Sequence, residues 1–138
     1  MKKEDVLTLI RIRMDEAQVA IRDAEFLLKG EGSSQAVVNR AYYAMFYSVL
    51  ALLQQLGKVP SKHKGVVSLF DMEFVRTGLF PKQLSRDYHR IFKLRHVSDY
   101  KALKPVPRPE AEEVLAKARS FVQAVTEYFQ KSLPAKDG

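Results

Sequence analysis

The chain contains no cysteine. Disulfides, thiolate metal sites and cysteine nucleophiles are therefore excluded. Its six glycines in 138 residues form no glycine-rich run that could cradle a phosphate. The three histidines, His63, His89 and His96, show no His-x-x-x-His spacing, and no Glu-x-x-His occurs. Neither a zinc helix nor a di-metal bundle site is expected on that pattern, and no cofactor signature is present. No stretch alternates apolar and polar residues as a strand would, and no repeat or low-complexity segment occurs. The opening Met-Lys-Lys-Glu-Asp is followed by no apolar run, so no signal peptide is read, and a soluble cytoplasmic protein is expected.

What is present is one domain's worth of helix. A chain of this length forms a single core without cross-links. We place the domain at residues 1–133 and expect a frayed tail at 134–138. The net charge is +7. It is concentrated: residues 58–108 carry twelve Lys or Arg against four acids, a net of +8, and the remainder is close to neutral at −1. Such asymmetry fits either a polyanion or acidic-protein partner or a merely basic solvated surface.

The central stretch is 36–53, which no glycine or proline interrupts. It reads as a helix apolar nearly all round, and so buried on most sides. Tyr43, Phe46, Leu50 and Leu53 define its most apolar face, with Ala44, Tyr47 and Ala51 beside it. Asn39 falls on that face and Arg40 next to it. Polar groups there need partners or a route to solvent. The stretch is judged too short and too interrupted to span a membrane.

Around it four more helices are predicted. The first, from about Glu4 to Lys29, carries a seam of Leu7, Ile10, Met14, Ala17, Ile21, Ala24 and Leu28 in three-four alternation. A five-residue turn ending in a capping serine makes it an antiparallel neighbour of the second helix. A basic loop from Lys58 to Gly65 leads to a short helix ending near Arg76, with Ser61 as its cap. A fourth helix runs from about Pro81 to Val97, and a fifth opens at Pro109 after a proline-rich linker. The fold class is all-α: an up-and-down bundle of four long helices plus one short one.

The fourth helix carries the anomaly. Its apolar stripe is Leu84, Tyr88 and Ile91, and the next step of four lands on Arg95, about 20° round the helix from Leu84. Arg95 thus continues a core-facing stripe as a charge, with Asp99 four residues on to pair with it. Asn39, Arg40, Tyr43, His63, Arg95, Asp99 and Tyr100 form the polar constellation. It is either a structural knot that fixes register or a cationic cleft that holds a phosphate.

Three segments carry a resemblance: Asn39-Arg40-Ala41-Tyr42-Tyr43-Ala44-Met45-Phe46, Ser61-Lys62-His63-Lys64-Gly65-Val66, and Arg95-His96-Val97-Ser98-Asp99-Tyr100. Together they resemble the HEPN superfamily, specifically its small stand-alone branch, often encoded beside a minimal nucleotidyltransferase. The resemblance spans almost the whole chain. It implies an up-and-down bundle, a homodimer, and a nucleotidyltransferase partner. Many such proteins are metal-independent RNases, several of them toxins of toxin–antitoxin or defence pairs. Their signature is an Arg followed four to six residues later by a His. Here the segment after Arg95 ends in Asp99-Tyr100 instead. Arg90 and His96 have the formal spacing, but six residues turn a helix by about 240°, which aims them at different faces.

The reading that follows is a HEPN-like dimer presenting a basic cleft to RNA or a nucleotide. Arg95 is the anion contact, Asp99 its orienter, and Asn39, Arg40, Tyr43 and His63 the wall. If the chain is instead an endoribonuclease, Arg95 would stabilise charge at the phosphate, and His96 or Tyr100 would move the proton. A structural interaction protein without a ligand is the third alternative.

Overall fold

The computed structural model describes residues 2–100 and 105–133, with side chains for all of these except 96–100. Five α-helices follow one another: α1 (Lys3–Lys29), α2 (Ser34–Leu56), α3 (His63–Phe70), α4 (Lys82–Tyr100) and α5 (Arg108–Ser132). No strand occurs among the described residues. The expected bundle of four long helices and one short one is what the chain forms. The tail expected to fray, 134–138, lies outside the described residues.

α2 is the hub, touching each of the other four helices. Its most extensive partner is α1. Small residues allow that: Ala17, Ala20 and Ala24 on α1 and Ala41, Ala44 and Ala51 on α2 are all buried. The α1 seam is as the periodicity predicts, with Ile10, Ala17, Ile21 and Ala24 buried and Met14 and Leu28 packed at its margin. On α2 Leu50, Leu53, Ala44 and Ala51 are buried as expected. Val38, Ala41, Tyr42, Met45, Val49 and Leu52 are fully buried as well, whereas Tyr43 and Phe46 are only partly covered. The face richest in aromatics thus stays partly open to solvent at Tyr43 and Phe46. At 23 residues α2 is in fact long and apolar enough to cross a membrane, so the length argument against it fails. Its apolarity is accounted for by burial among the other helices.

The ends of α2 are set by local chemistry. The Ala36 N–H donates to the Ser33 hydroxyl at 3.1 Å, and Gly57 closes the helix with a left-handed φ of 70°. α3 begins differently from expectation: Lys62, not Ser61, occupies the N-cap and makes no side-chain capping bond. Its second half also differs. Asp71–Val75 is a π-helical turn, marked by the Arg76 N–H donating five residues back to the Asp71 carbonyl at 2.9 Å. The Asp71 carboxylate fastens that turn to α4, accepting from the Ser85 hydroxyl at 2.6 Å and pairing with the His89 imidazole.

Beneath the turn an aromatic cluster ties α3, α4 and α5 together. Phe70 packs on Phe121 with centroids 5.3 Å apart and on Tyr88 at 5.8 Å, while Phe80 meets Tyr128 at 5.5 Å. Before α5, the linker is anchored by buried Val106. α5 itself opens one residue earlier than expected, at Arg108, with Pro109 in its first turn. The bundle's stability should rest on the cluster more than on any cap. Phe70→Ala is expected to cost about 3–5 kcal/mol, and Ser33→Ala about 1 kcal/mol. Urea denaturation of both variants checks the order; a smaller loss for Phe70→Ala than for Ser33→Ala would contradict this packing.

Candidate functional site

Two adjacent tyrosines on α2 begin the site. Neighbouring helical residues point about 100° apart. Tyr42 therefore enters the core, with no exposed surface, and Tyr43 lies along the edge of the bundle. A phenol oxygen at the core needs a hydrogen-bond partner. The first residue of α3 supplies it: His63 Nδ1 stands 2.9 Å from the Tyr42 hydroxyl. The imidazole also stacks on Phe46, centroid to centroid 4.2 Å at 24° between planes. Gly65 lets this turn lie close to the preceding loop, since a Cβ there would fall 3.1 Å from Pro60.

α4 delivers the charge. Leu84, Tyr88 and Ile91 are buried, and the same stripe carries Arg95 onward as the periodicity predicts. Its guanidinium lies over both tyrosines, Cζ being 5.0 Å from the Tyr42 ring centroid and 5.4 Å from that of Tyr43. Nη2 donates to the Tyr43 hydroxyl at 3.3 Å. Two aromatic faces offset part of the desolvation of a cation held on a core-facing stripe.

The electrostatics follow from this packing. Burial pushes the Tyr42 phenol well above its ordinary range, partly opposed by the positive charge of Arg95, so it stays protonated. Burial pulls the His63 imidazole below its ordinary 6.5, and Arg95 adds to the effect. His63 is therefore neutral at pH 7. Because its folded value is depressed, folding is favoured at pH above about 6.5. That contribution is lost as pH falls from there through the lower folded value.

The structure gathers some of the expected residues and separates others. Tyr43, His63 and Arg95 meet. Asn39 and Arg40 chiefly engage each other, Asn39 Oδ1 accepting from Arg40 Nη2 at 2.9 Å and Nε at 3.2 Å. Arg40 reaches the Tyr43 ring at 5.1 Å but also lines the α1 groove with Asp15, Glu16 and Asp23. These two residues thus stand at the margin. The side chains of His96, Asp99 and Tyr100 lie outside the described residues, and with them the predicted Arg95–Asp99 pair. Two participants escaped sequence reasoning: Tyr42, which joins His63 and Arg95, and Phe46, which supports the imidazole. The signal available for Tyr42 was its spacing of four from Phe46 on a helix that is apolar all round.

The other cations of α4 point elsewhere. Arg86, His89, Arg90 and Lys93 line a groove of about 600 Å³ with Leu94 and Glu110. By helical geometry this face is roughly opposite to Arg95. Arg90 is bonded there to Glu113 at 2.7 Å.

Comparison with known proteins settles the family. The HEPN domain pattern matches residues 10–128, which include every residue of the Tyr42–Tyr43–His63–Arg95 cluster. The chain belongs to the HEPN domain family. Among its HEPN relatives is a UPF0332 protein of Thermotoga maritima, 40% identical over 124 residues, covering 90% of this chain and 91% of that protein. Two proteins of Methanocaldococcus jannaschii, each described as a candidate toxin, are 32% identical. One covers 95% of this chain and 93% of its own length, the other 83% and 78%.

The geometry of this cluster makes one direct expectation. Removing the guanidinium in Arg95→Ala should raise the midpoint at which His63 takes a proton, because a nearby positive charge is gone. Imidazole C–H resonances followed across pH report it. An unmoved or lowered midpoint would mean that Arg95 does not bear on His63.

Proposed function

We propose that this HEPN chain is the toxin-like member of a two-protein pair, a homodimer whose partner is a nucleotidyltransferase. Its cleft takes a phosphate of RNA or of a nucleotide. The observation that carries this reading is Arg95. A cation held on the core-facing side of a helix, half-covered over two tyrosine rings and beside a neutral imidazole, is built to meet an anion entering from solvent. Such a guanidinium has planar donors that suit a phosphate. The concentration of positive charge in residues 58–108 adds long-range attraction for a polyanion. The two relatives described as candidate toxins lend support to the toxin-like part.

A second reading has one observation in its favour. His63 and Arg95 flank the same two rings, so the cleft holds both an anion contact and a proton-transfer group. That pairing favours a metal-independent endoribonuclease over a purely structural protein.

Binding to a labelled single-stranded RNA tests the phosphate site. Affinity should fall steeply between about 50 and about 200 mM salt, because bound phosphates release counterions. Arg95→Glu should weaken binding by about tenfold or more, equivalent to about 1.4 kcal/mol, and should also lower the melting temperature, because the guanidinium packs over Tyr42 and Tyr43. The comparison is made at a temperature where circular dichroism shows the variant folded. Equal affinity for Arg95→Glu and wild type would remove Arg95 from the site.

A further inference from the structure

We infer that a second copy of this chain packs on the outer face of α1, antiparallel to it about Val19, with Phe26 of each copy set against the groove of the other. This contact is the closure of the homodimer proposed above and rests on that reading.

The bundle leaves one stripe of α1 uncovered. Ile12, Val19 and Phe26 keep 45%, 46% and 79% of their surface exposed. They stand seven residues apart. Seven residues turn a helix about 20° short of two full turns, so the three lie on one side within about 40° of each other. The inward seam of α1, with Ile10, Ala17, Ile21 and Ala24, is already packed in the core. A lone exposed apolar side chain is ordinary. Three in line over about 21 Å make a second seam with no helix against it.

A groove of about 390 Å³ runs beside this stripe, between α1 and α2. Ile12, Val19 and Ala20 line it from α1 and Tyr47 from α2, while Phe26 lies outside it. Each copy thus has an apolar groove toward one end of the stripe and an unseated ring at the other. A twofold pair matches such features, because residue i meets j and j meets i. With a second copy turned end for end about Val19, Ile12 at the edge of the groove receives the partner's Phe26. Val19 then meets the partner's Val19.

The charges select the same partner. On one side of the stripe are Asp15 and Arg22, four residues before Val19 and three after it. Among the described residues neither has an ion-pair partner. They are separated by about 10 Å of helix, too far to bond each other. In the antiparallel pair each Asp15 falls beside the partner's Arg22, so the contact is made twice. On the other side stand Glu16 and Asp23, which would meet acid with acid. Glu16 is bonded to Arg13 at 2.8 Å, and Arg40 lines that groove from α2, so cations offset them. A uniformly basic or acidic partner would set like charge against Arg22 or Asp15. The chain's own face, reversed, does not.

Light scattering on the full chain as it elutes from a sizing column, across a range of protein concentrations, gives the test. Wild type should be a dimer. Val19→Glu sets like charges together on the twofold axis and should raise the dimer dissociation constant about 100-fold or more. Phe26→Asp should do likewise. Both positions are exposed, so circular dichroism should show both variants folded. Asp15→Arg should weaken the dimer, and Asp15→Arg combined with Arg22→Asp should restore it. The chain has no cysteine, so Val19→Cys is a single-site probe. A short bis-maleimide should link two copies through it and not through Val59→Cys, on the loop after α2. A dimer undisturbed by Val19→Glu, or one that Val19→Cys does not link, overturns this face and leaves the homodimer reading standing. A double exchange that fails to restore what Asp15→Arg loses overturns the antiparallel register. Wild type that stays monomeric at every concentration overturns both the inference and the homodimer reading.

Discussion

A phenol hydroxyl sits at the centre of this bundle, and the arrangement around it answers the problem it creates. Tyr42 has no exposed surface, so its oxygen has to be satisfied from within. His63 does so and thereby fixes where α3 starts relative to α2. The face of the same ring carries the guanidinium of Arg95, which fixes the end of α4. Three helices are registered by one side chain. The hydroxyl–imidazole contact is modest as a single hydrogen bond, but its loss would unfasten the aromatic face of α2 from the first residue of α3.

Much of this was legible in the order of the residues. The α1 seam, the serine cap, the glycine stop of α2 and the central place of α2 follow from periodicity and terminal chemistry. Arg95 was legible for the same reason: a stripe of Leu84, Tyr88 and Ile91 has only one continuation, whatever residue occupies it. Tyr42 was not. On a helix that is apolar on all sides, periodicity does not say which of two adjacent phenols turns inward. That choice is made by α3 and α4, through contacts 21 residues away at His63 and 52 residues away between Tyr43 and Arg95. Asn39 and Arg40 illustrate a different limit: periodicity places them on the helix but does not show that each bonds the other while Arg40 also lies over the Tyr43 ring.

α4 is two-sided in its charge. One face sends Arg95 inward over the tyrosines; the other carries Arg86, His89, Arg90 and Lys93 to solvent. The inward cation is oriented by rings and a phenol hydroxyl. Among the outward ones, Arg90 is offset by Glu110 and Glu113, and His89 is held by Asp71. The overall positive charge of the segment is thus divided between one cation placed with geometric control and a set that contributes field without fixed direction. Specific contact belongs to the first and salt-sensitive attraction to the second.

The π-helical turn at Asp71–Val75 has a bearing on how members of the family are compared. A π turn accommodates one residue more than a regular helical ladder needs. In the register of an ordinary helix, everything beyond it is displaced by one position. A relative that lacks the extra residue can keep Phe70, Phe80 and the start of α4 in the same places while its sequence is shorter by one. Alignments forced through without a gap here would set Ser85, Tyr88 and Arg95 against the wrong residues, and a preserved cluster would look like a lost one. The turn is thus a point within the helical part of the chain where a single insertion or deletion can be absorbed locally and, to a reader of sequences, misleads.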